Sequence, residues 1–202
     1  MLHRRAQWVK VIDGDAVRHL NWTDSYEALR EASNSSFPGY LWHEAVVWDD
    51  VGERWLFLPR RASFGEPYNE IDDQMRGSDL MLWAPGAAPV SHMLGRRGDR
   101  GGRITVGHVG GVLDARRGFS ALKMLPGGEV IVALRTEEVG GRVSSTIIVL
   151  HVNGTVLMPD VLVSNTSKFE GLEIATAATA RTGRSAAGSS RLRLWPARRE
   201  PR

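Results

Sequence analysis

Cysteine is absent from the 202 residues of the chain, and so is any long apolar run. The first absence excludes disulfide bonds and thiolate metal sites, although it fixes no cellular compartment. No stretch approaches the roughly 18 consecutive apolar residues that a membrane-spanning helix needs. The first ten residues, MLHRRAQWVK, also lack the apolar core of a signal peptide. The sequence therefore predicts no membrane segment and no export signal within this chain.

A net positive charge is absent outside the end of the chain, although the formal net charge of the whole is +3. The segment from Arg181 onward holds seven arginines and one glutamate, so the rest of the chain is near −3. No RNA- or DNA-binding motif accompanies the arginines. We therefore expect no nucleic-acid partner and predict a solvated, disordered tail. Nucleic-acid binding by the tail remains an alternative, and it would show a steep salt dependence.

Asparagine is also rare, but four of its five occurrences begin an N-x-S/T triplet. The four are Asn21, Asn34, Asn153 and Asn165. Such triplets are acceptors for N-glycosylation in secreted proteins, although a single one carries little weight. Together they favour the secretory pathway over chance.

The sequence predicts one short helix followed by many strands. Asp24 and Glu27 have the spacing of a capping box before SYEALREAS, and turn residues around Pro38 end the helix. Hairpin signals occur at Pro126-Gly127-Gly128, Val139-Gly140-Gly141 and Asn153-Gly154. The predicted strands are Glu44–Trp48, Arg54–Leu58, Asp79–Trp83, Ile104–Val109, Ser120–Leu125, Val130–Arg135, Val143–His151 and Thr155–Met158. Short hairpins at this spacing are typical of an all-β sandwich, barrel or propeller.

An internal repeat favours the propeller. EAVVWDDVGERWLFLPR aligns with SALKMLPGGEVIVALR, which places Glu44 on Ser120 and, after a one-residue difference in the turn, Arg60 on Arg135. A third copy begins at KFEGLEIA and adds Glu170, 50 residues after Ser120, near the length of one propeller blade. An oxygen-bearing side chain opens each copy, and the first strand of each blade lines the propeller axis. Converging oxygens of this kind suit a hard cation such as Ca²⁺.

Each of these residues also has a simpler interpretation. Glu44 could be an edge-strand acid or one half of a buried ion pair, and Glu170 a surface acid. Arg60 and Arg61 could grip phosphate with their two-pronged guanidinium groups, or they could be a solvated pair after a strand. The acidic pair Glu137-Glu138 could supply a base or further ligands, or it could simply be exposed.

Several ordered blocks resemble the soluble calcium-activated nucleotidases, the apyrases of the vertebrate ER and Golgi and of the saliva of blood-feeding insects. The blocks are WVKVIDG, LNWTDSYEALREA, PGYLWHEAVVW, RWLFLPRRAS, GFSALK, VIVALRTEE, GRVSSTIIV and KFEGLE. The resemblance covers roughly residues 8–90 and 106–174. It implies a five-bladed β-propeller that uses Ca²⁺ to hydrolyse nucleoside di- and triphosphates, notably UDP and GDP.

The resemblance also implies roles for particular residues. Glu44 in the HE block, Ser120 in the GFS block and Glu170 in the FEG block match positions that hold the central Ca²⁺ in that family. Arg60 and Arg61 match the family's arginine pair, to which we assign phosphate contact. No catalytic residue is assigned, because the acidic residues that handle the attacking water belong to a part of the family pattern that this chain lacks.

The chain departs from the family pattern at three places. Residues 1–174 are predicted to form a partial propeller domain, holding roughly its C-terminal half. Residues 93–107 have no counterpart and are predicted to be an inserted loop. Residues 175–202 are predicted to form a basic, disordered tail, because their composition is small, polar and aperiodic. A retained intron or a mis-spliced exon boundary would explain both the insertion and the tail.

The function expected from these arguments is Ca²⁺-dependent hydrolysis of nucleoside di- and triphosphates, with low activity from this portion by itself. The expected partners are the nucleotide substrate and, as a homodimer, a second copy of the chain. By resemblance, the expected location is the ER and Golgi or the exterior of the cell. The alternative is a non-catalytic, partial β-domain that needs self-association or a partner.

Overall fold

The structure is a computed structural model that describes residues 7–13, 15–85, 103–111, 113–176 and 190–196. One α-helix, α1, spans Thr23–Ala32, and a short 3₁₀ helix spans Asp72–Met75. The strands are β1 (Trp8–Asp13), β2 (Ala16–Asn21), β3 (Tyr40–Asp49), β4 (Arg54–Ser63), β5 (Leu80–Pro85), β6 (Thr105–His108), β7 (Arg117–Met124), β8 (Val130–Val139), β9 (Arg142–His151), β10 (Val156–Ser164), β11 (Phe169–Thr176) and β12 (Ser190–Pro196).

Two four-stranded antiparallel sheets dominate the described residues. One has the order β3-β4-β5-β6 and the other the order β7-β8-β9-β10, so each is a simple meander in chain order. Two two-stranded sheets, β1-β2 and β11-β12, accompany them. Four-stranded meanders of this kind are the blades from which β-propellers are built. The all-β prediction is therefore confirmed, and the sheets are compatible with a propeller-like fold.

The main core lies between the two large sheets. Leu56 and Leu58 of β4 point into it, whereas Phe57 between them points to the opposite face of the same sheet, as strand alternation requires. From the other sheet, Phe119 and Ile131 are fully buried in the same core. A second cluster packs α1 and β2 against the outer face of the first sheet. The first large sheet is thus buried on both faces, which fixes the position of its first strand.

Each of the eight predicted strands corresponds to one of β3 to β10, so these predictions are confirmed. The predicted hairpin turns also occur between β7 and β8, β8 and β9, and β9 and β10. Gly140 and Gly141 have φ angles of 57° and 78°. A two-residue hairpin needs positive φ at both positions, and glycine adopts it without strain.

The predicted capping box is wrong. The N-cap residue of α1 is Trp22, and no side-chain hydrogen bond caps the helix. Asp24 lies inside the first turn. Asn21 instead accepts hydrogen bonds through Oδ1 from the backbone N–H and the hydroxyl of Thr23, at 3.0 and 2.6 Å. Glu27 pairs with Arg30 at 3.1 Å, so its carboxylate is engaged further along the helix. The helix starts two residues earlier than a cap at Asp24 would allow.

The predicted inserted loop and tail fall largely outside the described residues. Of residues 93–107, only 103–107 are described, and Thr105 to Gly107 belong to β6, the fourth strand of the first large sheet. Of residues 175–202, Ser190–Pro196 form β12, which pairs antiparallel with β11. Ser190–Pro196 are thus a strand, and the disorder predicted for the residues of 175–202 outside β11 and β12 stays a prediction. SRLRLWP alternates polar and apolar residues, and pairing satisfies the backbone groups along one edge of β11.

A candidate oxygen-lined site on the first strands of successive sheets

The three predicted metal ligands occupy the same unusual position in three different strands. In the β3–β4 ladder the pairing passes from His43 to Ala45, so Glu44 has no partner. In the same way the β7–β8 ladder skips Ser120, and the β11–β12 ladder skips Glu170. Such bulges change the direction of a side chain, and they are over-represented next to active sites. The repeat in the sequence is thus a repeat of backbone irregularity as well as of residue type.

The three bulges are also close to one another. Strand β7 contacts both β3 and β11, so the first strands of successive sheets are neighbours. The Ser120 hydroxyl donates a hydrogen bond of 2.9 Å to the backbone carbonyl of Phe169, the residue before Glu170. This contact joins the second bulge directly to the third.

A chain of ion pairs connects the first bulge to the third. Arg60 donates to Glu44 at 2.8 Å and to Glu138 at 2.5 Å. Lys168 then contacts the same Glu138 oxygen at 3.3 Å and Glu170 at 2.7 Å. Two of the predicted ligands therefore belong to one alternating network of acids and bases. Sequence reasoning predicted neither the network nor the place of Lys168 in it.

Arg60 is the buried centre of this network. It is 2% exposed, whereas the side chains of Glu44 and Glu170 are 35% and 49% exposed. Its Nη1 also donates to the Thr136 hydroxyl at 2.8 Å, so the guanidinium bridges two sheets. The fixed fork of guanidinium donors suits several oxygen acceptors at once. The carboxylates reach solvent and can change partners, whereas the buried arginine is held in place.

Arg61 has a different environment from its neighbour. It is 7% exposed and donates a hydrogen bond of 2.5 Å to the backbone carbonyl of Asp73, in the loop between β4 and β5. Burial, followed by the nearby charge of Arg60, lowers the pKa of the Arg61 guanidinium. The paired arginines therefore do not form one patch of positive charge, since only Arg60 bonds to the acidic network.

The sequence alignment of the first two repeat copies is wrong by one residue on their second strands, β4 and β8. The ladders pair Ala45 with Leu58 and Ala121 with Leu134, so Leu58 and Leu134 are structurally equivalent. Arg60 then corresponds to Thr136, not to Arg135. The error arose because a one-residue difference in the turn was assumed in order to align the two arginines. The ladders show no such difference, since Ala45 to Ala121 and Leu58 to Leu134 are both separations of 76 residues.

Arg135 therefore has a separate, structural role. It is 1% exposed, pairs with Asp160, and donates to the carbonyls of Asp114 and Arg117 at 2.8 and 2.9 Å. Burial lowers its pKa, and Asp160 opposes this effect. It holds the start of β7 and the preceding turn together, away from the network around Arg60.

Glu137 and Glu138 also have different partners, as Arg60 and Arg61 do. Glu138 joins the network, whereas Glu137 lies 3.5 Å from Arg117 and 3.9 Å from Arg116. Successive residues of a strand point to opposite faces, so the neighbouring carboxylates reach different partners. This alternation was visible in the sequence, but which acid faced the site was not.

The donor chemistry of the bulges fits Ca²⁺, because two carboxylates and a hydroxyl are hard oxygen ligands. Within the part of the chain that the structure describes, no three histidine or acidic side chains are grouped closely enough to hold a metal ion. Arg60 and Lys168 supply the positive charge beside the carboxylates instead. A cation at this place would have to compete with both side chains.

Blade-like sheets and oxygen-bearing bulges on adjacent first strands are compatible with a propeller-type protein that carries a charged site on those strands. The profile of the Apyrase family matches residues 1–175, so the chain belongs to the apyrase family. It is 38% identical over 176 residues to soluble calcium-activated nucleotidase 1 of Mus musculus, with 86% of this chain and 40% of that protein covered. It is 34% identical to an apyrase of Caenorhabditis elegans, with 83% and 44% covered.

An apyrase of Cimex lectularius is 30% identical, with 82% of this chain and 42% of that protein covered. The chain thus spans about 40% of the length of the curated relatives that it matches. These matches bear out the family to which the ordered sequence blocks pointed. No helix among the described residues is long and apolar enough to cross a membrane.

Proposed function

We propose that the chain is part of a Ca²⁺-dependent nucleotidase that hydrolyses nucleoside di- and triphosphates such as UDP and GDP. The supporting observation is the placement of Glu44, Ser120 and Glu170 at equivalent bulges on three adjacent first strands. In this proposal their oxygens hold Ca²⁺ and Arg60 contacts the phosphate groups, whereas Arg61, for which the sequence also predicted phosphate contact, is engaged by the carbonyl of Asp73. The mouse relative is named a calcium-activated nucleotidase, which agrees with the proposal.

Bound Ca²⁺ would supply charge neutralisation and polarisation of the phosphate oxygens. The protein's own part is to hold the substrate and to redistribute charge. Arg60 offers a preorganised fork, and a phosphate oxygen would replace one of its present carboxylate partners, Glu44 or Glu138. The carboxylate released in this way is free to bind a cation. Partner exchange of this kind would couple metal binding to phosphate binding.

The activity of this portion by itself is expected to be low. The described residues contribute three predicted ligands, and two of these are neutralised by Arg60 and Lys168. Ca²⁺ usually takes six to eight oxygen ligands, so three should bind it weakly. A non-catalytic, partial β-domain that needs self-association or a partner remains the alternative function.

The decisive experiment measures phosphate release from UDP by the chain, with Ca²⁺ present and after chelation. We expect slow release that stops on chelation and is lost in Glu44→Gln and Glu170→Gln. Glu129→Gln is the matched control, because this exposed acid lies in the turn after β7, at the opposite end of the strand from the bulge at Ser120. Binding of Ca²⁺ by calorimetry provides a readout that does not depend on turnover. Equal Ca²⁺ affinity in all four proteins would contradict the metal assignment.

We also propose a location in the secretory pathway. Asn21, Asn34, Asn153 and Asn165 are all exposed, which an acceptor for N-glycosylation requires. Expression in a eukaryotic cell behind an added signal peptide, followed by glycosidase treatment, should lower the apparent mass. An unchanged mass would remove the sequon argument for this location.

A further inference from the structure

We propose that Trp42 and Tyr68 form a stacking platform for the base of a nucleotide whose phosphates lie at the oxygen-lined site. This inference rests on the proposed nucleotidase function and adds the element that recognises the base. It assigns to two exposed aromatic side chains a role that neither the fold nor the ion-pair network requires of them.

The two rings form an exposed aromatic surface. Trp42 is 45% exposed and Tyr68 is 47% exposed, and their ring centroids lie 4.9 Å apart. Tyr40 supports Tyr68 from 5.7 Å in an edge-on arrangement. Large aromatic side chains usually bury most of their surface. Grouped aromatic rings with free faces are the feature that proteins use to stack nucleic-acid bases without sequence preference.

Trp42 also has the right position relative to the charged site. It lies two residues before Glu44 on β3, and both residues are exposed, whereas Leu41 and Ala45 on the same strand are buried. Two residues of extended chain span at most about 7 Å, so Trp42 lies within that distance of Glu44 along β3, although the bulge between them breaks the alternation of faces. Arg61 interacts electrostatically both with Tyr68 and with Glu138 of the network, which places the platform and the network near the same guanidinium. In the ladder, Trp42 is the partner of Arg61, the residue after Arg60. The aromatic rings thus border the network at the first bulge.

Tyr68 is held in place by an anchored loop. Arg61 donates to the Asp73 carbonyl at 2.5 Å, and the Asp73 carboxylate accepts from the backbone N–H of Asn69, the residue after Tyr68. Arg76 pairs with Asp73 at 2.9 Å and completes the anchor. Arg61 is therefore a positioning residue for the platform. Rigid placement of an aromatic side chain reduces the entropy lost when a ligand stacks on it.

An apolar protein surface is the competing interpretation, because exposed apolar side chains also occur in the loop between β4 and β5. They are Phe64, Ile71 and Met75. The position of Trp42 beside a phosphate-binding candidate favours a ligand with one aromatic and one anionic end, which is the chemistry of a nucleotide. Binding of a second copy of the chain is treated below as an outcome of the test.

The test compares the affinities of the chain for UDP and for inorganic pyrophosphate by titration calorimetry with Ca²⁺ present. Pyrophosphate lacks the base and reports on the phosphate site alone. We expect Trp42→Leu to weaken UDP binding about tenfold, the lower range for loss of one base-stacking contact, and to leave pyrophosphate binding unchanged. Trp42→Phe should restore most of the affinity. Trp8→Leu, which removes another exposed tryptophan on β1, should change neither affinity.

Five results would overturn the inference. Equal weakening of both ligands in Trp42→Leu would make Trp42 a structural residue. An unchanged UDP affinity would mean that the base lies elsewhere. Loss of self-association in Trp42→Leu, measured by light scattering, without a change in UDP affinity would identify a protein-docking surface. If the parent chain binds pyrophosphate as tightly as UDP, the stacking platform is rejected while the proposed nucleotidase function stands. If the parent chain binds neither ligand, the platform and the proposed function are both rejected.

Discussion

His43 is a titratable side chain that its strand places in an apolar environment, where the charged form is unfavourable. Both ring nitrogens are buried and have no hydrogen-bond partner within the described part of the chain, and the ring packs 5.2 Å from the rings of Tyr26 and Phe57. Burial, with the charge of Arg30 as a smaller cause, lowers the pKa of His43 to about 3. The neighbouring Glu44 points the other way. The HE pair thus contributes one residue to the core and one to the site.

The first prediction concerns the pH dependence of stability. Unfolded His43 binds a proton near pH 6.5 and folded His43 only near pH 3, so the unfolded state gains protons first as the pH falls. The free energy of unfolding should therefore fall by about 1.4 kcal/mol per pH unit below pH 6.5. Chemical denaturation between pH 7 and 4.5 measures it, and His43→Phe should remove this part of the slope. His19→Gln, at an exposed position, should keep it.

The second prediction concerns Arg60. Removing one partner of a buried ion pair costs roughly 3–5 kcal/mol when the other charge stays buried. Here the remaining carboxylates of Glu44 and Glu138 are partly exposed and can be hydrated. We therefore expect Arg60→Met to cost about 2 kcal/mol of unfolding free energy, and Lys123→Met, at a pair whose two side chains are 40% and 50% exposed, to cost far less. Equal losses of unfolding free energy in the two variants, measured by urea denaturation, would show that the network stabilises the fold no more than an exposed ion pair does.

At the scale of elements, the close approach of β4 and β7 depends on a glycine. A Cβ on Gly118 would lie 2.2 Å from the backbone carbonyl oxygen of Arg60, which is much nearer than any real contact. The first strand of the second sheet can therefore lie against the arginine strand of the first only without a side chain here. This contact brings the bulge at Ser120 within the same site as the bulge at Glu44.

The third prediction follows from that contact. Gly118→Ala should force β4 and β7 apart and cost about 1–3 kcal/mol, the usual range for overpacking. Gly107→Ala in β6 is the control, because a Cβ there would meet nothing within 4 Å. It should be neutral or slightly stabilising, since alanine lowers the entropy of the unfolded chain. Thermal unfolding of both variants measures the difference. An unchanged stability in Gly118→Ala would contradict the close packing of β4 against β7.

The element boundaries were largely predictable, whereas the register was not. The strands β3 to β10 follow from alternating apolar residues and glycine-containing turns, which are local signals. The bulges at Glu44, Ser120 and Glu170 are not local, since a bulge is defined by which partner residue is skipped. For the same reason the role of Lys168 could not be read from the sequence.

At the scale of the whole molecule, β10 forms one edge of the second large sheet. It presents exposed apolar side chains at Leu157, Val161 and Leu162, which are 53%, 47% and 58% exposed. Exposed apolar edge strands offer unpaired backbone groups to another chain, and proteins commonly protect them with charge or cover them. Self-association through this edge would be one way to cover it.

The fourth prediction is that the chain associates with itself in a concentration-dependent manner. Light scattering should show a mass rising above 22.3 kDa toward twice that value. Val161→Lys should reduce the association, because a charged side chain on an edge strand opposes pairing. Val51→Lys, at an exposed turn, is the matched control and should leave it unchanged. A monomer at every concentration would argue against self-completion as the alternative function.

The sequence by itself determined the all-β class, the strands of the two large sheets, the family and the residues that open each repeat. These depend on periodicity, turn chemistry and ordered motifs, which act over a few residues. Only the tertiary structure decided that Arg60 and Arg61 have separate environments, that Glu138 and not Glu137 joins the network, and that Lys168 links it to Glu170. Those outcomes depend on which faces of distant strands meet, and that depends on sheet register and on the close packing of β4 against β7.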